Sequence, residues 1–332
     1  MLIKNYQMTF FIFLVVGTVM AVSANSWFTC WLGLEINLMS FIPLILSNLN
    51  NSTTEAAIKY FLVQAMASVF LIFFASAEPL NMAMNFNSMM NPVIFMAMAT
   101  KAGMAPFHFW FPQIMIKLPW MHCAIVLIWQ KIAPFVLMSY FSSSNTTIFF
   151  ILVSAAVGSL GGLNQTLTKM ILTYSSIAHS SWMLMLSSIS IYFWANYYLI
   201  YSLISTSLIM PFYLMNMNSF TDISKNFSSK IFKLSLIFSV MSLGGLPPLL
   251  GFSAKFLAIK LSLYFFPVYV ILILILSSLI SLFYYFKMIY SSLFLNTYNF
   301  KMIKPKNFTL VNIFLYLSMA GNLIIPYVVL LT

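Results

Sequence analysis

Runs of about twenty apolar residues follow one another along nearly the whole chain, parted only by short polar, proline or glycine stretches. A run of that length crosses a bilayer as a single helix. Charged residues make up 6% of the chain and hydrophobic ones 62%. A soluble globular domain, in which charged residues approach a quarter, is thereby excluded. Backbone polar groups surrounded by hydrocarbon must pair within the protein, so the runs are expected to be helical. The predicted spans are 8–22, 26–48, 56–77, 92–115, 120–141, 147–165, 169–188, 191–216, 231–262, 267–295 and 308–330. The fold class that follows is an all-α polytopic membrane protein of about eleven transmembrane helices, one membrane domain over residues 1–332.

Loop charge tests this count independently. With sides alternating, Lys4, Lys59, Lys117, Lys169, Lys225, Lys230, Lys233, Lys301, Lys304 and Lys306 all fall at or near the N-terminal side, termed side A. The opposite connections hold no lysine and one acidic residue, Glu78. A miscounted span would scramble this positive-inside asymmetry. The N-terminus is expected on the side of insertion. It enters the first span almost directly, with no small-residue cleavage site, and reads as mature sequence. The net charge of +11 is spread as single lysines and forms no basic patch, so no nucleic-acid partner is expected.

One stretch violates the pattern of an ordinary spanning helix: Lys101-Ala102-Gly103-Met104-Ala105-Pro106-Phe107-His108. Proline lacks an N–H and clashes with the preceding turn, so the helix breaks there. Backbone freed at bilayer depth must find internal partners or line a wet cavity. A second break is predicted at Gly244-Gly245-Leu246-Pro247-Pro248. Five spans separate the two, an odd number, so the halves have opposite orientation. The reading is two inverted five-helix repeats, 1–141 and 147–295, each with a broken helix, plus one terminal helix at 308–330. Two incidental proline kinks are the competing reading.

Lys101, Lys131, Lys255, Lys260, Lys287 and Glu35 lie inside spans, where an ionisable side chain marks function or a structural ion pair. Lys260 and Lys287 sit close to span ends and are expected to snorkel. Glu35, Lys101, Lys131 and Lys255 are left as a proton relay. A lysine removed from water sheds its charge readily, and a neighbouring carboxylate restores it. Making or breaking a Glu35–Lys101 contact would therefore pass a proton between Lys101 and Lys131. His179, among hydroxyls, and His108, beside the first break, are further relay candidates, each with a structural hydrogen-bonding role as its alternative. His122, near a span end, is expected to be interfacial. Cys30 and Cys123 are isolated and have no metal-ligand spacing, and no dinucleotide or phosphate-binding motif occurs.

Several motifs, in order, carry a resemblance over essentially the whole chain. They are Trp31-Leu32-Gly33-Leu34-Glu35-Ile36-Asn37, Glu55-Ala56-Ala57-Ile58-Lys59-Tyr60-Phe61 and Ala105-Pro106-Phe107-His108-Phe109-Trp110. Trp129-Gln130-Lys131-Ile132-Ala133-Pro134, Gly161-Gly162-Leu163-Asn164-Gln165-Thr166 and Ser242-Leu243-Gly244-Gly245-Leu246-Pro247-Pro248 complete the set. In these the chain resembles the antiporter-like membrane subunits of respiratory complex I, in the shortened form found in animal mitochondria. The resemblance implies an inner-membrane subunit of an NADH:ubiquinone reductase, with its N-terminus in the matrix, moving protons to the intermembrane space. It places the relay on Glu35, Lys101, Lys131 and Lys255. It implies no redox cofactor or metal in this chain, although the complex uses NADH, flavin, iron–sulfur clusters and ubiquinone. The implied partners are the other complex I subunits and the bilayer, including cardiolipin. Lys260 departs from the family pattern, which has a neutral residue there. A freestanding cation/proton antiporter and a structural spacer are the alternatives.

Overall fold

A computed structural model describes residues 5–47, 50–77, 87–141, 145–215, 217–219, 230–247 and 249–294. Two compact units divide the chain, 1–150 and 151–332. Each expected range from 8–22 to 267–295 coincides with a helix or a broken pair of helices, and 308–330 lies outside the described residues. Among the described residues there is no strand, only an isolated bridge between Leu167 and Ser219. Six helical segments there are long and apolar enough to cross a membrane, among them Asn51–Ser76, Ile191–Met215 and Val268–Tyr290.

The first unit holds α1 (Asn5–Val22), α2 (Trp27–Ile45), α3 (Asn51–Ala77), α4 (Asn87–Ala102), α5 (Trp110–Lys117), α6 (Trp120–Leu127) and α7 (Ile132–Met138). A capping box opens α2: the Ser26 hydroxyl accepts from the Thr29 N–H, and the Thr29 hydroxyl accepts from the Ser26 N–H. α1 and α2 touch backbone to backbone at Gly17 and Gly33, where a Cβ on Gly33 would lie 2.6 Å from the Ala21 nitrogen. Hydrocarbon supplies no hydrophobic drive between helices, so small residues that admit close approach hold such pairs together. α3 packs on α2, α4 and α5, and α4 packs on α7 and the turn before it.

The expected unbroken span 120–141 is interrupted. Between α6 and α7 the backbone tightens into a 3₁₀ turn over Trp129–Lys131. The cause lies four residues on: Pro134 has no N–H to offer the Gln130 carbonyl, and its ring crowds that turn.

The second unit contains α9 (Thr168–Ile189), α10 (Ile191–Met215), α11 (Lys230–Gly244), α12 (Leu250–Ser262) and α13 (Val268–Phe294), while α8 (Asn145–Gly162) runs across the division. Its core is built on α9, buried along nearly its whole length and packed by α10, α12 and α13. α9 buries many hydroxyls, and Ser175, Ser176, Ser180 and Ser181 each donate to the carbonyl three residues back. That local bond removes the cost of an unpaired donor while leaving oxygen lone pairs to accept.

Candidate functional site

Both predicted breaks close in the same way. α4 ends at Ala102 and turns through Gly103, whose φ is +71°. The Met104 N–H reaches back to the Ala99 carbonyl at 3.0 Å, and the Gly103 N–H to that of Thr100 at 3.1 Å. α11 ends at Gly244 and turns through Gly245, φ +79°; there Leu246 donates to Met241 at 3.3 Å and Gly245 to Ser242 at 3.1 Å. These are paired Schellman closures, in which the left-handed residue has to be glycine to avoid a Cβ clash.

The breaks differ in how the freed carbonyls are satisfied. At the first, the Trp110 indole N–H donates to the Thr100 carbonyl at 3.2 Å, and the Gln64 amide donates to the Lys101 carbonyl at 3.4 Å. At the second a lysine does this: Lys255, on α12, donates from Nζ to the Gly244 carbonyl at 2.9 Å. Lys101 therefore stands before its break, and Lys255 reaches back to its break from the following helix.

Lys101 is 5% exposed and Lys131 2%, on elements packed against each other. The Lys131 ammonium lies 5.8 Å from the centre of the Phe111 ring, within cation–π reach. Asn37 on α2 and Gln130 in the 3₁₀ turn exchange two amide hydrogen bonds, each 2.9 Å. Asn37, Tyr60, Gln64, Lys101 and Gln130 line a cavity of about 10 Å³, roughly the room one water needs. Glu35, on α2, is half-buried. Among the described residues the ion pairs are Glu55 with Lys59 and with Lys117, so Glu35 and Lys101 form none.

In the second unit Lys255, 8% exposed, and His179 line a second cavity of about 10 Å³ with Ser277, Ser281 and Tyr285. His179 Nδ1 is 2.8 Å from the Tyr197 hydroxyl. His108 is buried and shares a 3.2 Å hydrogen bond with the Pro106 carbonyl, a bond local to the first break. His122 is half-buried against the Phe41 ring. Lys260 and Lys287 are exposed, and Lys287 donates to the Leu163 carbonyl at 3.1 Å.

Sequence reasoning missed Asn37, Gln64, Gln130, Tyr197 and the α13 serines as parts of these clusters. Gln130 and Asn37 stand within conspicuous motifs, but a neutral amide carries no burial cost large enough to single it out. The chemistry available to each cluster is proton binding and release at a lysine, with hydroxyl, amide and carbonyl groups around it to hold water.

The sequence pattern described as NADH:quinone oxidoreductase/Mrp antiporter, TM matches residues 24–281. The chain is 38% identical to NADH-ubiquinone oxidoreductase chain 2 of Anopheles gambiae, covering 96% of each chain. To the protein of the same name from Aedes aegypti it is 40% identical, covering 97% of each. Among solved structures, a chain of respiratory complex I from Thermus thermophilus superposes with a TM-score of 0.86 at 22% identity, over 98% of this chain and 80% of that one. The matched length, the identity and the shared fold agree, and the chain belongs to the NADH-ubiquinone oxidoreductase chain 2 family of antiporter-like membrane proteins.

Proposed function

We propose that this chain is the part of a mitochondrial NADH:ubiquinone oxidoreductase that carries protons through the inner membrane, from matrix to intermembrane space. The observation that carries the reading is the placing of Lys101 and Lys131: both are nearly inaccessible and on packed elements, and Lys101, with Gln130 next to Lys131 in the chain, lines a polar cavity with room for water. Charge at such depth is costly, and a proton path repays that cost. Redox chemistry takes place elsewhere in the complex, and this chain holds no redox cofactor or metal of its own. Each cycle shifts the Glu35 carboxylate relative to Lys101, which changes the proton affinity of Lys101 against Lys131. The proton then continues by water and hydroxyls to Lys255, with His179 and His108 as side members of the path. Moving one charge against ~150 mV costs about 3.5 kcal/mol.

The architecture that goes with this reading is eleven spans in two inverted repeats, 1–141 and 147–295, with 308–330 as the last span and the N-terminus in the matrix. The matching Schellman closures at Gly103 and Gly245 support it. Other complex I subunits and a bilayer containing cardiolipin are its surroundings.

Replacing Lys131 with Met in the assembled complex tests the reading in proteoliposomes, with Lys260→Met, an exposed position, as the control. The expected result is loss of proton pumping per NADH oxidised with assembly intact. Pumping at the unaltered ratio would exclude Lys131 from the relay.

A further inference from the structure

A recess in the first unit, about 490 Å³, lies apart from the relay residues. It is a groove between α3 and α4, walled by Leu62, Met66 and Phe70 on one side and Met96, Thr100 and Phe107 on the other. Leu62, Met66 and Phe70 are each at least half exposed. They recur at four-residue spacing, and three residues before Leu62 the same stripe carries Lys59. Lys59 and Lys117 share one carboxylate, Glu55, and Lys59 also donates to the Gln113 side chain at 3.3 Å. Two ammonium groups on one carboxylate leave a net positive charge, and the side chains of all three are a quarter to a half exposed.

We infer that this groove binds one anionic phospholipid, its phosphate at Lys59 and Lys117 and one acyl chain along Leu62, Met66 and Phe70. The dimensions fit. From Lys59 to Phe70 α3 rises about 16 Å, the depth of one leaflet in a hydrocarbon core of ~30 Å. The charge fits as well: a headgroup of net negative charge neutralises the surplus ammonium, whereas a zwitterionic headgroup, whose phosphodiester is already balanced by its own cation, does not. The lysines lie on side A, the side of positive loop charge, so the lipid belongs to that leaflet. Neither they nor the α3 stripe is part of the relay, so the site stands whether or not the relay does. Its inner wall, Thr100 and Phe107, belongs to the break that carries Lys101.

The test uses the intact complex in phosphatidylcholine nanodiscs containing a small fraction of phosphatidylglycerol with a diazirine on one acyl chain. After photolysis, labelled peptides are mapped by mass spectrometry. Labelling is expected within 62–70 and 93–100. Unlabelled phosphatidylglycerol should suppress it several-fold more effectively than phosphatidylcholine. Met66→Trp, which fills the groove, should abolish the labelling, and Lys59→Gln with Lys117→Gln should lower it several-fold, NADH oxidation being unchanged in both. Where a variant fails to assemble, competition on the unaltered complex decides. Equal competition by the two lipids overturns the headgroup site. Labelling of other segments but not these shows another subunit covering the face, and overturns the proposal.

Discussion

The amide clamp between Asn37 and Gln130 gives the sharpest test of how the Lys131 turn is held. Each of its two hydrogen bonds is 2.9 Å, and Asn37 is 4% exposed. Gln130→Leu removes both bonds and strands the Asn37 amide, at about 1–3 kcal/mol for each buried group left unpaired. Asn37→Leu does the converse. Replacing both partners with apolar side chains leaves nothing stranded and can be nearly neutral. Each single variant should therefore destabilise the first unit, while the double variant recovers most of the loss, a coupling on the order of 1–3 kcal/mol. For a unit of this size 1 kcal/mol corresponds to roughly 2–4 °C in a thermal midpoint. The assay is the temperature at which the purified complex loses NADH:ubiquinone activity, read across the four-member cycle. Single variants several degrees below wild type, with the double variant restored, bear the reasoning out. Additive losses in the double variant would refute it, because two amides that only pack near one another do not compensate.

Gly245→Ala should damage the second break, since its φ of +79° disfavours any Cβ and that Cβ would lie 2.9 Å from Lys255 Cδ. The left-handed conformation alone costs about 1–2 kcal/mol for a non-glycine residue. Pumping is expected to fall several-fold, measured as acidification per NADH oxidised, and an unchanged ratio would mean that Lys255 need not sit at Gly244. Lys255→Met loses a charged hydrogen bond, worth about 1.5–3 kcal/mol, but also relieves a buried charge of comparable cost. The complex should therefore assemble at near-normal yield on native gels while pumping is lost. Failed assembly with normal specific pumping in the residue that survives would assign Lys255 a purely structural role.

Much of this arrangement is written locally. Helices could be placed because hydrocarbon gives the backbone no other partner, and the breaks because Gly103, Pro106, Gly245 and Pro247 interrupt the apolar runs. Lys101, Lys131 and Lys255 stood out for a related reason: an ammonium group amid twenty apolar neighbours is costly enough to be noticed from its surroundings alone. The 3₁₀ turn at Trp129–Lys131 was in principle legible from Pro134, but proline elsewhere is accommodated, as Pro211 is inside α10.

Contacts between distant segments were not legible. Asn37 and Gln130 are 93 positions apart, and neutral amides draw no attention until the fold sets them face to face. Nor does sequence distinguish Lys101, before its break, from Lys255, which turns back to a carbonyl eleven residues earlier. The half-buried position of Glu35 and the groove beside Lys59 likewise depend on how α2, α3 and α4 pack. The sequence alone determined that this is a helical membrane protein and which charges sit inside its apolar runs, because transfer from water to hydrocarbon is a property of each residue and its neighbours. Tertiary structure alone decided which stranded groups share a cavity and which carbonyls they satisfy, because hydrogen bonds act over about 3 Å and only packing brings their partners that close.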